Sequence, residues 1–236
     1  MSVYLKNISL SIRRLGKKQP ILSSTTIDIP RKSLALIGES RLEVVTILDM
    51  LCRRILPQKG KIYFNGSVSW PIGRTGPFSI TVTGVQTITY FATLYKFDRN
   101  YGLQFMVSEF SNPELLSQPI LKWPPILQTQ FMLLLALIPN FDIYLIDTNL
   151  FKTDQVEFSK RFLELFNIRR QGKTCLITAR QTKLIDALCK GAIVIKDKKI
   201  FFTNNINEAL KISNKVSFSN SNDQKEEIEI DDNIIF

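Results

Sequence analysis

Residues 34–51, LALIGESRLEVVTILDML, decide the fold of this chain. The stretch opens with a short apolar run typical of a central strand, and Gly38 follows it at a turn. Apolar residues then recur at helical spacing from Arg41 onward, and the helix is predicted to end near Ile55 because proline at position 57 disfavours helical backbone just before it. The sequence therefore predicts a buried strand, a glycine turn and a helix in immediate succession.

The same stretch has the frame of a phosphate-binding loop without its reactive groups. In the pattern G-x-x-x-x-G-K-[ST], glycine amides cradle phosphates at the start of a helix and the lysine pairs with them. Here Gly38 holds the first glycine position, but Glu43 stands at the second, and Val44 and Val45 replace the lysine and the hydroxyl residue. Together with Leu42, these side chains would place bulk and a negative charge on the phosphate path.

The residues that replace the loop form a different local pattern. Ser40 and Glu43 have the spacing of a capping box, S/T-x-x-E, in which the serine caps the helix and the glutamate turns back to the capping amide. We therefore expect the helix start, whose dipole favours anions, to be filled by the chain's own acid.

Composition limits the classes of function. The formal charge is +10, with twelve Lys and Arg against four acids in residues 1–62, whereas the segment from Ser219 has six acids and one Lys. A basic face of this kind can attract nucleic acid or anionic lipid headgroups. Because the chain has no basic helix with interleaved aromatics and no RNA-binding signature, we favour a well-solvated surface over specific nucleic-acid binding.

Because histidine is absent, mechanisms that need a histidine base, ligand or sensor are excluded. The three cysteines lie apart in apolar stretches, as expected of reduced core residues.

Alternating and helical patterns along the chain indicate an α/β fold. We predict strands near residues 3–12, 24–29, 33–37, 141–147, 174–178, 192–195 and 199–202, a basic turn at 13–19, and helices at 156–168 and 182–189. The dipeptide Asn65-Gly66 predicts a hairpin between short strands at 61–64 and 67–70. Helical periodicity dominates residues 85–137, and residues 71–84 form an ordered loop. The most apolar run, residues 131–139, is too short to cross a bilayer, which takes about 18 residues.

Three segments carry a family resemblance. They are residues 59–95, which contain KGKIYFNGSVSWPIGRTGPF, TVTG and FATLY; residues 141–147, FDIYLID; and residues 173–178, KTCLIT. They resemble the ATP-binding subunit of ABC transporters, most closely the branch for capsular polysaccharide and polysialic acid export. The resemblance implies a P-loop NTPase-like, mostly parallel sheet with an N-terminal antiparallel β subdomain and an inserted helical subdomain. Residues 1–218 would form this domain, with the insertion at about 85–137, and 219–236 an acidic tail.

By this resemblance, the family's nucleotide-binding positions are occupied by residues that are mostly unsuited to the task. The positions are Gly38, Glu39, Ser40, Arg41, Leu42, Glu43, Val44, Val45, Thr46, Ser79 and Asp147. Thr46 and Asp147 keep the family's residues. Asp147 is a candidate metal ligand; the alternative, which we favour, is a strand-end acid whose carboxylate is satisfied by local amides. Thr148 replaces the catalytic glutamate and Ala179 the switch histidine. The family's signature loop falls on residues 123–127, and its adenine-stacking aromatic falls near Ile12. Asp154 matches the acid of the loop that follows the family's metal-binding strand.

The resemblance leads to one principal expectation and two alternatives. The first is a degenerate, non-hydrolysing subunit that needs no cofactor, with ATP and Mg bound only if residual affinity survives. It would lie on the cytoplasmic, inner face of the inner membrane and dock on a permease through Arg74, Phe78 and Ser79. It would pair with a second copy of itself or with an active homologue. The alternatives are an active ATPase that energises polysaccharide export and a free-standing, non-catalytic scaffold.

Overall fold

The computed structural model describes residues 2–14, 16–74, 79–147, 156–178 and 182–217. The strands in chain order are β1 (Val3–Arg14), β2 (Lys17–Ile29), β3 (Ser33–Gly38), β4 (Lys59–Phe64), β5 (Val68–Ile72), β6 (Ile143–Asp147), β7 (Thr174–Thr178), β8 (Ala192–Lys196) and β9 (Lys199–Thr203). The α-helices are α1 (Arg41–Leu51), α2 (Gly84–Tyr95), α3 (Arg99–Glu109), α4 (Pro125–Leu135), α5 (Val156–Arg169), α6 (Thr182–Leu188) and α7 (Ile206–Ser217). Two short 3₁₀ helices, Pro113–Ser117 and Ile120–Lys122, lie between α3 and α4.

A mostly parallel sheet forms the centre of the fold. Its strand order is β5-β6-β7-β3-β8-β9, and all neighbours are parallel except β8 and β9. Strands β6 and β7 are buried throughout, as expected where helices or another sheet cover both faces. In β3, Leu34 and Leu36 enter one apolar core, and Ala35 and Ile37 enter another on the opposite face. The predicted fold class is confirmed.

A second sheet covers one of these cores. Its order is β2-β1-β4, and both pairs are antiparallel. The prediction of a basic turn over residues 13–19 is wrong in extent, because Arg13 pairs with Lys18 and Arg14 with Lys17, so β1 and β2 continue almost to the tip. Strand β2 accordingly begins at Lys17, well before the predicted residue 24.

The predicted hairpin at Asn65-Gly66 is wrong. Strand β4 pairs with β1 in the small sheet, whereas β5 runs parallel to β6 in the central sheet, so the dipeptide joins two sheets. Gly66 has φ +117°, and a Cβ there would lie 2.4 Å from the Asp142 side chain, so this junction requires glycine. The Asp142 carboxylate accepts bonds from the Ser67 amide (2.9 Å) and hydroxyl (3.1 Å), which fixes the start of β5.

Several element boundaries also differ from the predicted ones. Strand β4 begins at Lys59 rather than at residue 61, and β5 continues to Ile72, into the predicted loop. Helix α1 ends at Leu51, because Arg53 adopts a left-handed φ of 65° and the amides of Arg54 and Ile55 turn back to the Asp49 carbonyl. Strand β6 begins at Ile143, after the predicted residue 141, and α7 was not predicted. Among the described residues, no helix combines the length and apolar character that a membrane span requires.

Candidate functional site

The carboxyl ends of three adjacent parallel strands define the candidate site. Gly38 ends β3, Thr178 ends β7 and Asp147 ends β6, with β7 between the other two. Ligands of open parallel sheets bind at this edge, where helix N-termini also converge. The structure therefore places the degenerate loop and the retained aspartate at the same edge of the sheet.

The start of α1 is capped by its own side chains. Ser40 has extended backbone angles (φ −138°, ψ 155°), its Oγ accepts from the Glu43 amide at 3.2 Å, and its amide donates to Glu43 Oε2 at 3.0 Å. The predicted capping box is confirmed. Burial raises the pKa of the Glu43 carboxyl, and the hydrogen bond from the Ser40 amide opposes this rise. A carboxylate thus occupies the helix end where a phosphate-binding loop would receive an anion.

Side chains also pack directly against Gly38. A Cβ at Gly38 would lie 3.0 Å from Val44 Cγ2 and 3.3 Å from Glu43 Oε2. Val44 is only 7% exposed and belongs to the core beneath the small sheet. The valine at the family's lysine position therefore contributes to packing rather than to ligand binding.

Arg41 pairs with the aspartate at the end of β6. Its Nη2 donates to Asp147 Oδ2, while the Thr178 hydroxyl donates to Asp147 Oδ1 at 3.1 Å. Within the described part of the chain, a guanidinium and a hydroxyl satisfy this carboxylate, rather than the local amides expected from the sequence. Asp147 is 1% exposed, so Arg41 supplies the positive charge that a buried carboxylate requires.

Thr46 keeps the family's residue but bonds within its own helix. Its hydroxyl donates to the Leu42 carbonyl at 2.7 Å, one helical turn back, and the residue is 3% exposed. In this arrangement the threonine hydroxyl is satisfied within α1, and the residue does not face an open loop. Val45 lies half-buried beside it, and Glu39 precedes the cap.

The residues expected at the permease contact are in different environments. Arg74 forms a two-pronged ion pair with Asp49 of α1, with Nη1 2.9 Å from Oδ1 and Nη2 3.3 Å from Oδ2. The Arg74 side chain is 19% exposed, so this ion pair fixes the start of the loop to α1. Ser79 is exposed, and its hydroxyl lies 2.7 Å from the Thr81 hydroxyl. Phe78 lies outside the described residues.

The segment at the family's signature position begins α4. The Trp123 ring packs between Phe110 and Phe131, with centroids 5.4 and 5.2 Å away. Pro124 and Pro125 have no amide hydrogen, and the amides of residues 127 and 128 both donate to the Pro124 carbonyl. This helix start therefore offers few free amides to an anion. Ile12, at the predicted adenine-stacking position, is half-buried against the core.

Several expected positions cannot be placed. Thr148, Asp154 and Ala179 lie outside the described residues. Within the described ranges, no group of three or more potential metal ligands is close enough to hold an ion. Sequence reasoning missed the pairing of Arg41 with Asp147 and of Arg74 with Asp49, because contacts between residues 106 and 25 positions apart have no local signal.

Comparisons with known proteins point to one group. No protein-family model matches the chain. It is 26% identical over 202 residues to the polysialic acid transport ATP-binding protein KpsT of Escherichia coli, covering 84% of this chain and 89% of that protein. It is 25% identical over 167 residues to the ATP-binding protein BexA of Haemophilus influenzae, covering 70% and 76%. The capsule polysaccharide export ATP-binding protein CtrD of Neisseria meningitidis serogroup B is 22% identical over 186 residues, covering 78% and 85%.

Solved structures agree on the fold. An ATP-binding subunit of an ABC transporter superposes with a TM-score of 0.72 at 15% identity, covering 93% of this chain and 99% of that one. The ATP-binding cassette MJ0796, in a dimeric post-hydrolysis state with ADP and Pi, superposes with a TM-score of 0.67 at 14% identity, covering 84% and 96%. The chain is thus a homologue of the capsule polysaccharide export ATP-binding proteins and has the fold of the ABC transporter ATP-binding cassette.

Proposed function

We propose that this chain is a degenerate ATP-binding-type subunit of an ABC transporter for polysaccharide export, which docks on a membrane permease and does not hydrolyse ATP. The names of its homologues support the transporter and its cargo. In this proposal the chain is cytoplasmic, is held peripherally on the inner face of the membrane, and pairs with itself or with an active homologue. It needs no cofactor.

One observation supports the loss of hydrolysis. A negative charge lies where the phosphates of a magnesium nucleotide would bind, and a positive charge lies where its metal ion would bind. The Glu43 carboxylate stands at the helix start, where phosphate would need donors and positive potential. The Arg41 guanidinium lies on Asp147, where a metal ion would need a free carboxylate. Without the loop lysine, the site also lacks charge-assisted hydrogen bonds worth about 1.5–3 kcal/mol each.

An active ATPase remains the principal alternative, because every homologue named above is an ATP-binding protein and Asp147 is retained. Against it, Thr148 and Ala179 stand where the family has its catalytic glutamate and its histidine, and no histidine elsewhere in the chain can substitute. For ATP turnover, other residues would have to replace the loop lysine, the catalytic glutamate and the histidine at the same time.

Nucleotide binding and hydrolysis by the purified chain test this part of the proposal. With ATP and magnesium, we expect no saturable binding and no turnover above a protein-free background. The matched variant is Asp147→Asn, which removes the retained aspartate. Magnesium-dependent hydrolysis that disappears in this variant would overturn the proposal in favour of the active ATPase.

Docking is proposed at the loop of residues 71–84, on the surface where this loop meets the segment that contains Leu121. The exposed apolar side chains of Ile80 and Leu121 are 38% and 58% exposed, and the Leu121 amide donates to the Ile80 carbonyl at 2.8 Å, so the two segments are joined. Ser79 lies beside them and Phe78 precedes it. Arg74 pairs with Asp49 of α1, so its substitution would disturb the fold as well as any contact with a permease.

Membrane fractionation of cells that contain the permease tests docking. After a wash at about 1 M salt, which screens attachment through charge alone, the double variant Ile80→Asp with Leu121→Asp is expected to move from the membrane fraction to the supernatant. Ile168→Asp in α5, at a residue 66% exposed, is the matched control and is expected to remain on the membrane. If both variants remain membrane-bound, or if no permease co-purifies with the unmodified chain, a free-standing scaffold becomes the better explanation.

A further inference from the structure

The outer face of the small sheet carries an array of cations. Strand alternation places Lys6 and Arg13 of β1 opposite the buried side chains of Leu5 and Leu10, on the solvent side. The strand register places Lys18 of β2 and both Lys59 and Lys61 of β4 on the same face. The side chains of all five residues are exposed. We call this set the basic face; it consists of Lys6, Arg13, Lys18, Lys59 and Lys61.

The cations of the basic face are set against each other. Lys6 is directly opposite Lys61, and Arg13 is directly opposite Lys18. Like charges in directly paired positions destabilise a sheet. None of the five has an ion-pair partner within the described part of the chain, and Asp28 is the sole acid in the three strands. The arrangement costs stability within the protein, which an external anionic partner would offset.

Protection of sheet edges explains only part of this pattern. Lysines on edge strands hinder pairing with other chains, and this accounts for Lys59 and Lys61 on β4. Lys6, however, lies where β1 is paired with β2 on one side and with β4 on the other, whereas Arg13 lies beyond the last residue that β4 pairs. The position of Lys6 therefore protects no edge and remains to be explained by what the face contacts.

We infer that the basic face is a contact surface for the anionic phosphate headgroups of a lipid bilayer. Lys6 and Arg13 are seven residues apart on one strand, about 23 Å at the usual rise, and the face spans three strands about 5 Å apart. This is a two-dimensional array without a groove, which matches a planar array of headgroups better than one nucleic-acid strand. The tyrosines Tyr4 and Tyr63 on the same face stack on each other, with centroids 6.0 Å apart, rather than standing free for bases.

Sedimentation with protein-free vesicles tests this inference without any permease, so its outcome is independent of the proposed docking. The unmodified chain is expected to bind vesicles of phosphatidylcholine with phosphatidylglycerol and to ignore pure phosphatidylcholine. Binding is expected to be lost between about 0.1 M and about 1 M salt, as the Debye length falls from about 10 Å to about 3 Å.

A charge-matched pair of variants identifies the surface. Replacing Lys6, Lys18 and Lys61 by Gln should weaken partition onto anionic vesicles roughly a hundredfold, at about fivefold per cation. Replacing three exposed lysines elsewhere, Lys122, Lys160 and Lys211, removes the same net charge and should leave most of the binding. Melting temperatures no lower than that of the unmodified chain would show that both variants fold.

Three results would overturn the inference. These are failure of the unmodified chain to bind anionic vesicles, equal weakening by both triple variants, and tighter binding of single-stranded RNA than of vesicles through the same three lysines. The second result would mean that net charge, not this face, is responsible, and the third would make the partner a nucleic acid.

Discussion

Two charged regions of this molecule contrast in how their charges are satisfied. At the loop between β3 and α1, Glu43 turns back to the Ser40 amide and Arg41 pairs with Asp147. On the basic face, by contrast, cations oppose cations across strands. The loop therefore has charge partners within the chain, whereas the cations of the sheet have no ion-pair partner among the described residues. The loop between β3 and α1, where the family binds nucleotide, is thus filled by the chain's own side chains, whereas the basic face is exposed to a partner.

The largest expected effect comes from breaking the ion pair at the loop. Arg41→Ala leaves the buried carboxylate of Asp147 without a counter-charge, and should lower the free energy of unfolding by about 2–3 kcal/mol, less than for a fully buried pair because Arg41 is partly exposed. Urea unfolding at neutral pH measures the loss. Adding Asp147→Asn should recover most of it, since no uncompensated charge remains. A loss below about 0.5 kcal/mol, typical of surface substitutions, would contradict the pairing.

Removing the cap should have a smaller effect. Ser40→Ala removes the acceptor for the Glu43 amide and should cost about 1 kcal/mol. Thr83→Ala should behave alike, because Thr83 and Gln86 form the same capping box at α2. Ser23→Ala, at an exposed position in β2, is the neutral comparison. An unchanged melting temperature for the Ser40 variant would count against the cap.

The basic face should respond in the opposite direction. Lys61→Gln removes a positive charge opposite Lys6 and should raise the free energy of unfolding by a few tenths of a kcal/mol at low salt, with the gain declining as salt is added. Lys160→Gln on α5 is the control for loss of charge alone. A decrease in stability at low salt would show that Lys61 is internally compensated.

The smallest expected effect is a pH dependence at Glu43. Burial raises its pKa in the folded chain, so the folded state holds this proton more tightly than the unfolded state does. The contribution of Glu43 to stability is therefore fully present at low pH and is lost as the pH rises from its ordinary value of 4.5 through the folded pKa. Glu43→Gln, which keeps the box, should gain stability relative to the unmodified chain over that window. A constant difference across the titration would refute the raised pKa.

Local patterns were the part of the structure that the sequence could predict. The capping box at Ser40 and Glu43 is confirmed because its two residues are three positions apart and the spacing alone defines it. The buried strands β3, β6 and β7 are confirmed because apolar runs of that length have few other places in an α/β fold. The overall class therefore followed from residue order and periodicity.

Long-range pairing could not be predicted in the same way. Asn65-Gly66 signals a turn, but the signal does not specify which strands pair beyond it, and here β4 and β5 belong to different sheets. Likewise, nothing near Arg41 in the sequence indicates Asp147 as its partner, since both are unremarkable until the parallel sheet brings β3 and β6 to one edge.

The apolar core beneath the small sheet joins the two contrasted regions. Leu5 and Leu10 of β1 lie in one cluster with Leu36 of β3 and with Val44 and Ile47 of α1. Elements that share a core tend to open as one cooperative unit. A ligand specific to the folded state stabilises such a unit by about 2.7 kcal/mol at a hundredfold excess over its Kd. Contact of the basic face with an anionic bilayer should thus slow amide hydrogen exchange in the loop and α1, although no atom of the loop touches the lipid.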